Sequence, residues 1–250
     1  MTHKVGNYEH ALDRAKNPPR KRRRDRNLPQ RTQAEEFSHA VRQFPRQAAQ
    51  SLGTFEFATQ LIERRESTMA LEVLYYLLNN EGKFATYNKK FGEPLTALAN
   101  YGHARQVKEI LERAIKEFPE NIAANHSMGS VFEALIKNGF EKTAAKLFSK
   151  IAIQAPELVA VNPDTGWIVQ ELIHGGEAER ALNAFIVIAS KHPKSFSGNT
   201  SLNKAIKAIR EADPYKIFER DKAFVVVRLC DKLDELRPRF VTPDMFRPKL

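Results

Sequence analysis

The densest cluster of charged side chains is a basic run that follows Pro18 and Pro19. Guanidinium and ammonium groups at this density bind phosphate oxygens, and a short exposed basic run also serves as a nuclear import address. A solvated tail with only non-specific attraction to polyanions is the remaining interpretation. The predicted basic arm consists of Lys16, Arg20, Lys21, Arg22, Arg23, Arg24 and Arg26.

Positive charge is concentrated at the N-terminal end of the chain. Residues 1–34 contain ten basic and three acidic side chains, a net charge of +7, whereas the whole chain carries +10. The remaining 216 residues therefore carry only +3. The basic balance of the chain is thus no argument that its main body binds nucleic acid.

Catalytic and metal-binding motifs are absent from the sequence. It has no glycine-rich phosphate loop, no GxSxG turn and no HExxH pair, and its seven histidines are isolated from one another. The single cysteine, Cys230, cannot build a thiolate-rich zinc site or an internal disulfide. We expect a non-enzymatic protein without a cofactor or metal, and the cysteine content fits either a reducing compartment or a protein indifferent to oxidation.

A period of 37 residues organises the middle of the chain. Pro119, Pro156 and Pro193 are 37 residues apart, and so are Gly102, Gly139 and Gly176. Self-similarity at such a period is typical of stacked helical repeats. The predicted fold class is all-α: a right-handed α-solenoid of antiparallel helix pairs, with a disordered basic N-terminal arm and a C-terminal capping helix.

Apolar residues recur in the same register. In each predicted first helix, two apolar positions three residues apart lie on one face. One column is Ala58, Leu95, Phe132, Val169 and Ile206, and the other is Leu61, Leu98, Leu135, Leu172 and Ile209. The glycines are predicted to end these helices in a left-handed conformation, with Arg65 and Asp213 in their place in the first and last units. The prolines are predicted to stop the second helices.

The predicted organisation has five parts. They are a disordered basic arm over 1–31, an N-terminal helix over 32–50, helical repeats over 51–211, a capping helix over 212–236 and an extended tail over 237–250. The N-terminal helix is expected to start at a capping box of Thr32 and Glu35. The capping helix is expected to start at Asp213 and Pro214 and to bury Phe218, Val225, Leu229 and Leu233.

The repeat resembles the tetratricopeptide repeat and its pentatricopeptide relatives. The spacing of Ala144, Phe148, Ile151 and Pro156 after Gly139 carries the resemblance, and Ala181, Phe185, Ile188 and Pro193 repeat it. The period of 37 exceeds the 34 residues usual for the former family. Bulky Leu95, Phe132 and Val169 replace its small mid-helix residue, as in the RNA-binding relatives. The base-reading position of those relatives is occupied by Glu93, Ser130, Trp167 and Lys204, which is not a base-reading series.

The resemblance implies a concave groove lined by the first helices. Predicted lining residues are Lys89, Glu93, Thr96, Asn100, His126, Ser130, Glu133, Lys137, Trp167, Gln170 and His174. Trp167 is interpreted either as a partner anchor or as a packing residue between repeats. The mixed charge of this set favours a protein or peptide partner, so we predict a protein-protein interaction adaptor.

The alternative prediction is an RNA-binding or ribonucleoprotein-associated protein that uses the arm on phosphates. A third possibility is a subunit of a larger assembly. The longest apolar runs, such as 184–189, are six residues, whereas a membrane span needs about 20. We therefore expect an intracellular protein without a membrane partner, nuclear if the basic run is an import address and otherwise cytoplasmic. The sequence leaves the oligomeric state open.

Overall fold

The structure is a computed structural model that describes residues 8–17 and 32–237. All regular secondary structure in these two ranges is helical, which confirms the all-α prediction. Three kinds of helix recur along residues 45–212. We call a helix that follows a turn an A helix and one that follows a glycine loop a B helix. A short helix that begins at a proline is a C helix.

The A helices contain the two predicted apolar columns, and all ten column residues are buried. They are α4 (Leu52–Glu63), α6 (Gly92–Leu98), α9 (Met128–Lys137), α12 (Thr165–His174) and α15 (Leu202–Ala212). The residues after α6, Ala99–His103, leave helical geometry at Tyr101 and Gly102. Each A helix contacts the next one along the chain, from α4 to α15.

The B helices follow the A helices after a tight loop. They are α5 (Ser67–Tyr87), α7 (Ala104–Glu117), α10 (Glu141–Gln154) and α13 (Ala178–Lys191). Successive B helices contact one another. The connecting loops are left-handed as predicted, because Gly102, Gly139 and Gly176 have φ values of 90°, 80° and 85°. Arg65 and Asp213 occupy the equivalent places with φ values of 68° and 54°.

A short third helix corrects the prediction of helix pairs. The B helices end two residues before Pro119, Pro156 and Pro193, as predicted, but each of these prolines is also the first residue of a C helix, where its missing N–H costs nothing. The C helices are α3 (Pro45–Gln50), α8 (Pro119–Ala124), α11 (Pro156–Val161) and α14 (Pro193–Ser197). In α5, a bend at Glu81 (φ −138°, ψ 33°) marks the same point, so its last turns replace a separate C helix.

The prediction of a disordered arm over 1–31 is wrong for residues 8–16, which are helical. Residues Tyr8–Lys16 form helix α1, which packs against α2 (Gln33–Gln43) and α4. Tyr8, Leu12 and Ala15 are spaced as one helix face and are buried, although charged residues surround them in the sequence. The capping box of Thr32 and Glu35 is present, but the predicted helix over 32–50 is divided into α2 and α3.

The predicted capping helix over 212–236 is also divided into two helices. Asp213 accepts a hydrogen bond from the Tyr215 N–H and Pro214 begins α16 (Pro214–Ile217), but the chain is extended at Phe218 before α17 (Arg220–Leu236) begins. Helix α17 packs against α13 and α14. Its buried residues are Ala223, Val226, Cys230 and Leu233, so Leu233 alone of the predicted face is fully buried and Val225 is exposed. The predicted tail beyond Arg237 lies outside the described residues.

Candidate functional site

A ladder of buried asparagines lies where each C helix meets the next A helix. The asparagine ladder consists of Asn88, Asn125, Asn162 and Asn199, which are 37 residues apart. Each side-chain amide donates to backbone carbonyls of the preceding 37-residue segment. Asn162, for example, donates to Ala123 O at 2.7 Å and to Asn125 O at 3.2 Å. Successive segments are thereby joined through buried polar groups that have partners.

The acceptor side of each ladder amide organises the start of the next A helix. The Oδ1 atoms of Asn125, Asn162 and Asn199 accept from the backbone N–H two residues later, at 2.9–3.0 Å. The side chain on that residue then accepts from a glycine N–H of the preceding segment, as Ser201 Oγ does from Gly166 at 2.8 Å. These glycines leave no room for a Cβ, since one on Gly166 would lie 2.1 Å from the Ser201 carbonyl oxygen.

The ladder fixes the positions of the predicted partner-binding residues. We call the eleven predicted lining residues the A-helix face, because all lie on A helices or on the turns beside them. Lys89, Glu93, Asn100, His126, Lys137 and His174 are exposed, and the other five are half-buried. The hydroxyl of Thr96 is itself buried and unpaired, so Thr96 contributes least to an exposed surface.

Acidic side chains on neighbouring A helices share one lysine. Lys90 Nζ lies 2.7 Å from Glu56 Oε1 and 3.3 Å from Glu93 Oε1. The hydrogen bond from Lys90 lowers the pKa of Glu56, and the same bond raises the pKa of Lys90. We call these two ion pairs of Lys90 the lysine bridge. It links the surfaces of α4 and α6, and its two carboxylates and one ammonium give it a net negative charge.

A recess next to this bridge brings three predicted residues together. Lys89, Glu93 and His126 line a depression of about 670 Å³ with Tyr87 and Asn121. Tyr87 is 77% exposed, an unusual degree for a large aromatic side chain. The recess offers an aromatic ring, both signs of charge and neutral amides within one small area.

Trp167 occupies the other end of the A-helix face. The side chain is half-buried between α12 and α15, and the Lys204 ammonium lies 5.8 Å from the centre of its ring. Burial raises the pKa of nearby Asp164, while the Gly129 N–H, His126 and Lys204 oppose that rise. The side chain is thus partly buried and partly exposed, and its role as a partner anchor stays a prediction.

The remaining predicted residues lie between these two areas. Lys137 forms an ion pair with Glu133 at 2.5 Å on α9. This hydrogen bond raises the pKa of Lys137. Ser130 and Gln170 are half-buried on α9 and α12, and His174 ends α12. The face therefore alternates in charge along its length and has no continuous basic strip.

The basic arm is largely outside the described residues. Lys16 lies in the last turn of α1, and its carbonyl oxygen accepts from Gln33 Nε2 at 2.8 Å. The residues on either side of the run are therefore held next to each other. The other six predicted arm residues, Arg20 to Arg24 and Arg26, are not described.

Sequence reasoning missed the ladder and the lysine bridge. The ladder was detectable, because asparagine recurs at 88, 125, 162 and 199 with the period already found in glycine and proline. The bridge had no such signal, since Lys90 stands where the following segments have Ser127, Asp164 and Ser201.

Within the described ranges, no group of histidine, cysteine, aspartate and glutamate side chains has the geometry of a metal site. Nor does any described helix combine the length and apolar character needed to cross a membrane. Comparisons with protein-family models, curated proteins and solved structures give no significant match.

Proposed function

We propose that this protein is a non-enzymatic helical-repeat adaptor that binds a protein or peptide partner on the A-helix face. In this proposal the 37-residue segments form a right-handed, tetratricopeptide-like solenoid whose A helices line the concave side. The contacts between successive A helices, B helices and ladder asparagines support such stacking.

The observation that carries the proposal is the chemistry of the A-helix face. The exposed Tyr87, at the end of α5, borders the face in the recess, and the half-exposed Trp167 belongs to the face on α12. The face also carries acidic, basic and amide side chains. Tyrosine and tryptophan supply much of the binding energy in protein interfaces. A phosphate backbone would instead select for a continuous series of lysine and arginine.

The basic run has a separate role in the proposal. It serves as an attachment point for polyanions or an import receptor, which would give an intracellular and in the latter case nuclear protein. Because α1 is packed against α2 and α4, deletion of residues 1–31 would remove buried residues as well as charge. The run is better tested by replacing its basic residues with glutamine.

Selection from a displayed peptide library tests the adaptor proposal. We expect the full chain to enrich peptides whose binding, measured by fluorescence anisotropy, weakens at least about tenfold on Trp167→Ala or Tyr87→Ala, because each removes an aromatic anchor. Lys146→Ala, an exposed change on α10, is the control and should bind normally. If no peptide is enriched, or the aromatic variants bind like the control, the A-helix face is not the partner site.

A labelled single-stranded RNA tests the RNA-binding alternative in parallel. If the arm alone contacts phosphates, binding should fall with salt at a log-log slope of roughly −4 and disappear in the glutamine variant. Tight RNA binding that survives those replacements but is lost in Trp167→Ala would identify the A-helix face as an RNA site and contradict the adaptor proposal.

A further inference from the structure

Exposed apolar side chains are concentrated at the C-terminal end of the described chain. The described ranges contain nine exposed large hydrophobic residues, and four of these lie beyond residue 212. Three of them, Phe224, Val225 and Leu236, belong to α17 and are 53%, 44% and 38% exposed. Helix α17 thus covers α13 and α14 with one face and presents a second face to solvent.

The outer face of α17 has the spacing of a helix-packing strip. Asp221, Val225, Arg228 and Lys232 follow one another at intervals of four, three and four residues, and all four are exposed. Such spacing forms a continuous stripe along one side of a helix. Phe224 and Leu229 flank the stripe. With Val225, Arg228 and Lys232 they border a shallow depression of about 630 Å³.

Charge along this stripe is arranged for self-pairing. The dipeptide Asp-Lys occurs twice, at 221–222 and at 231–232. When two copies of α17 are placed antiparallel and centred between Val226 and Val227, Asp221 of each copy lies opposite Lys232 of the other. The same register places Val225 opposite the aliphatic stem of Arg228, and it brings Phe224 of both copies to the same flank of the contact.

The charges at the ends of the stripe are available for this pairing. Among the described residues, neither Asp221 nor Lys232 has an ion-pair partner. Arg228 lies 5.4 Å from the ring centre of Phe224, so its guanidinium already lies against the apolar part of the stripe.

We propose that the outer face of α17 is a homodimer interface in which α17 of a second copy of this chain packs antiparallel. The contact is isologous, so each favourable pair occurs twice about a two-fold axis. A two-helix contact of this length is at the small end of specific interfaces, and we expect a dissociation constant in the micromolar range, about 1–100 µM.

Sedimentation of the full chain at about 1–200 µM tests the interface. The wild type should convert from monomer to dimer across this range. Asp221→Lys alone and Lys232→Asp alone should each weaken the dimer at least about tenfold, because like charges then face each other twice. Phe224→Ser should weaken it similarly by removing apolar contact. Lys146→Asp on α10, an equal change of charge elsewhere, should dimerise like the wild type.

Mixing the two charge variants distinguishes this register from other arrangements. An equimolar mixture of Asp221→Lys and Lys232→Asp should form a heterodimer with near wild-type affinity, since opposite charges face each other again. Melting followed by circular dichroism should show that both variants fold normally, as their side chains are exposed.

Three outcomes would overturn the proposal. One is a wild-type chain that stays monomeric at about 200 µM, and another is a dimer that the α17 variants do not weaken. The third is a mixture that fails to dimerise. A monomer whose melting temperature falls with Phe224→Ser would show that the chain covers this face itself.

Discussion

The ladder asparagines show how single side chains define the boundary between segments. An asparagine can donate twice and accept at the same time, and Asn162 uses both capacities while 5% exposed. Serine or aspartate could not make the same set of bonds, because neither carries two side-chain donor hydrogens. Asparagine is therefore the residue that this boundary requires.

Replacement of Asn162 by alanine should be strongly destabilising. It removes the side-chain donor to the Ala123 carbonyl and the acceptor for the Asp164 N–H in a buried region, and it leaves the Asn125 carbonyl with the Met128 N–H alone. We expect the free energy of unfolding, measured in urea, to fall by about 2–4 kcal/mol. Asn80→Ala is the control, since Asn80 is exposed and bonds only to Tyr76 one turn away. Equal effects at the two positions would contradict the role of the ladder.

The glycines at the starts of A helices give a second residue-scale prediction. Gly166→Ala would place a Cβ against backbone atoms of Ser201, which cannot move without displacing the ladder. We expect a loss of about 2–3 kcal/mol in thermal or urea unfolding.

Gly198→Ala is the matched control for that substitution. Its φ is −80° and its nearest neighbour, the Ser195 carbonyl oxygen, is 3.6 Å from the new Cβ. This change should be neutral or stabilising by up to about 1 kcal/mol. A Gly166→Ala variant as stable as the control would show that the contact with Ser201 is not tight.

Residues that repeat in the sequence predicted which positions are buried, but they did not predict the contacts between side chains on the surface of the A helices. The apolar columns are buried and the left-handed loop positions are correct, because each depends on one residue type that repeats in the sequence. The partners of Lys90 and Trp167 depend on which side chains adjacent A helices bring together. Such contacts are set by packing between segments and have no signature within one segment.

At the scale of elements, the loop between α4 and α5 departs from its counterparts. Arg65 adopts φ 68° where the next three loops have glycine. Its N–H bonds to Ile62 O at 2.9 Å, and that of Glu66 to Leu61 O at 2.8 Å, which closes the same helix-ending motif as at Gly139 and Gly176. A residue with a Cβ is disfavoured in this conformation by about 1–2 kcal/mol.

Arg65→Gly should therefore stabilise the protein. The gain is reduced by the greater freedom of glycine in the unfolded chain, and we expect a net increase of about 0.5–1 kcal/mol in the free energy of unfolding. The neighbouring change Arg64→Gly, at φ −84°, has no strain to relieve and should destabilise by a similar amount. If both changes destabilise equally, the left-handed conformation at 65 carries no cost.

The errors in predicting elements have two physical causes. A proline ends a helix and equally well begins one, so Pro119, Pro156 and Pro193 could not by themselves reveal the C helices. Helix α1 was missed because its composition is polar, with only Tyr8, Leu12 and Ala15 facing inward. Its stability comes from contacts with α2 and α4, which are distant in sequence.

At the scale of the whole molecule, helices at both ends pack against the segments between them. Helices α1 and α2 contact α4 and α5, and α17 contacts α13 and α14. A stacked repeat array, as we propose for this chain, needs terminal elements with a polar outer face. The outer face of α17 departs from that requirement at Phe224 and Val225, which is why we assign it to an interface.

The asparagine ladder also restricts covalent modification of the chain. Asn125-His126-Ser127 and Asn199-Thr200-Ser201 both have the sequence of an N-glycosylation acceptor. In the folded protein these two amide nitrogens are buried and donate to carbonyl oxygens of the preceding segment. An oligosaccharide could be attached only to an unfolded chain, and once attached it would prevent two adjoining segments from closing.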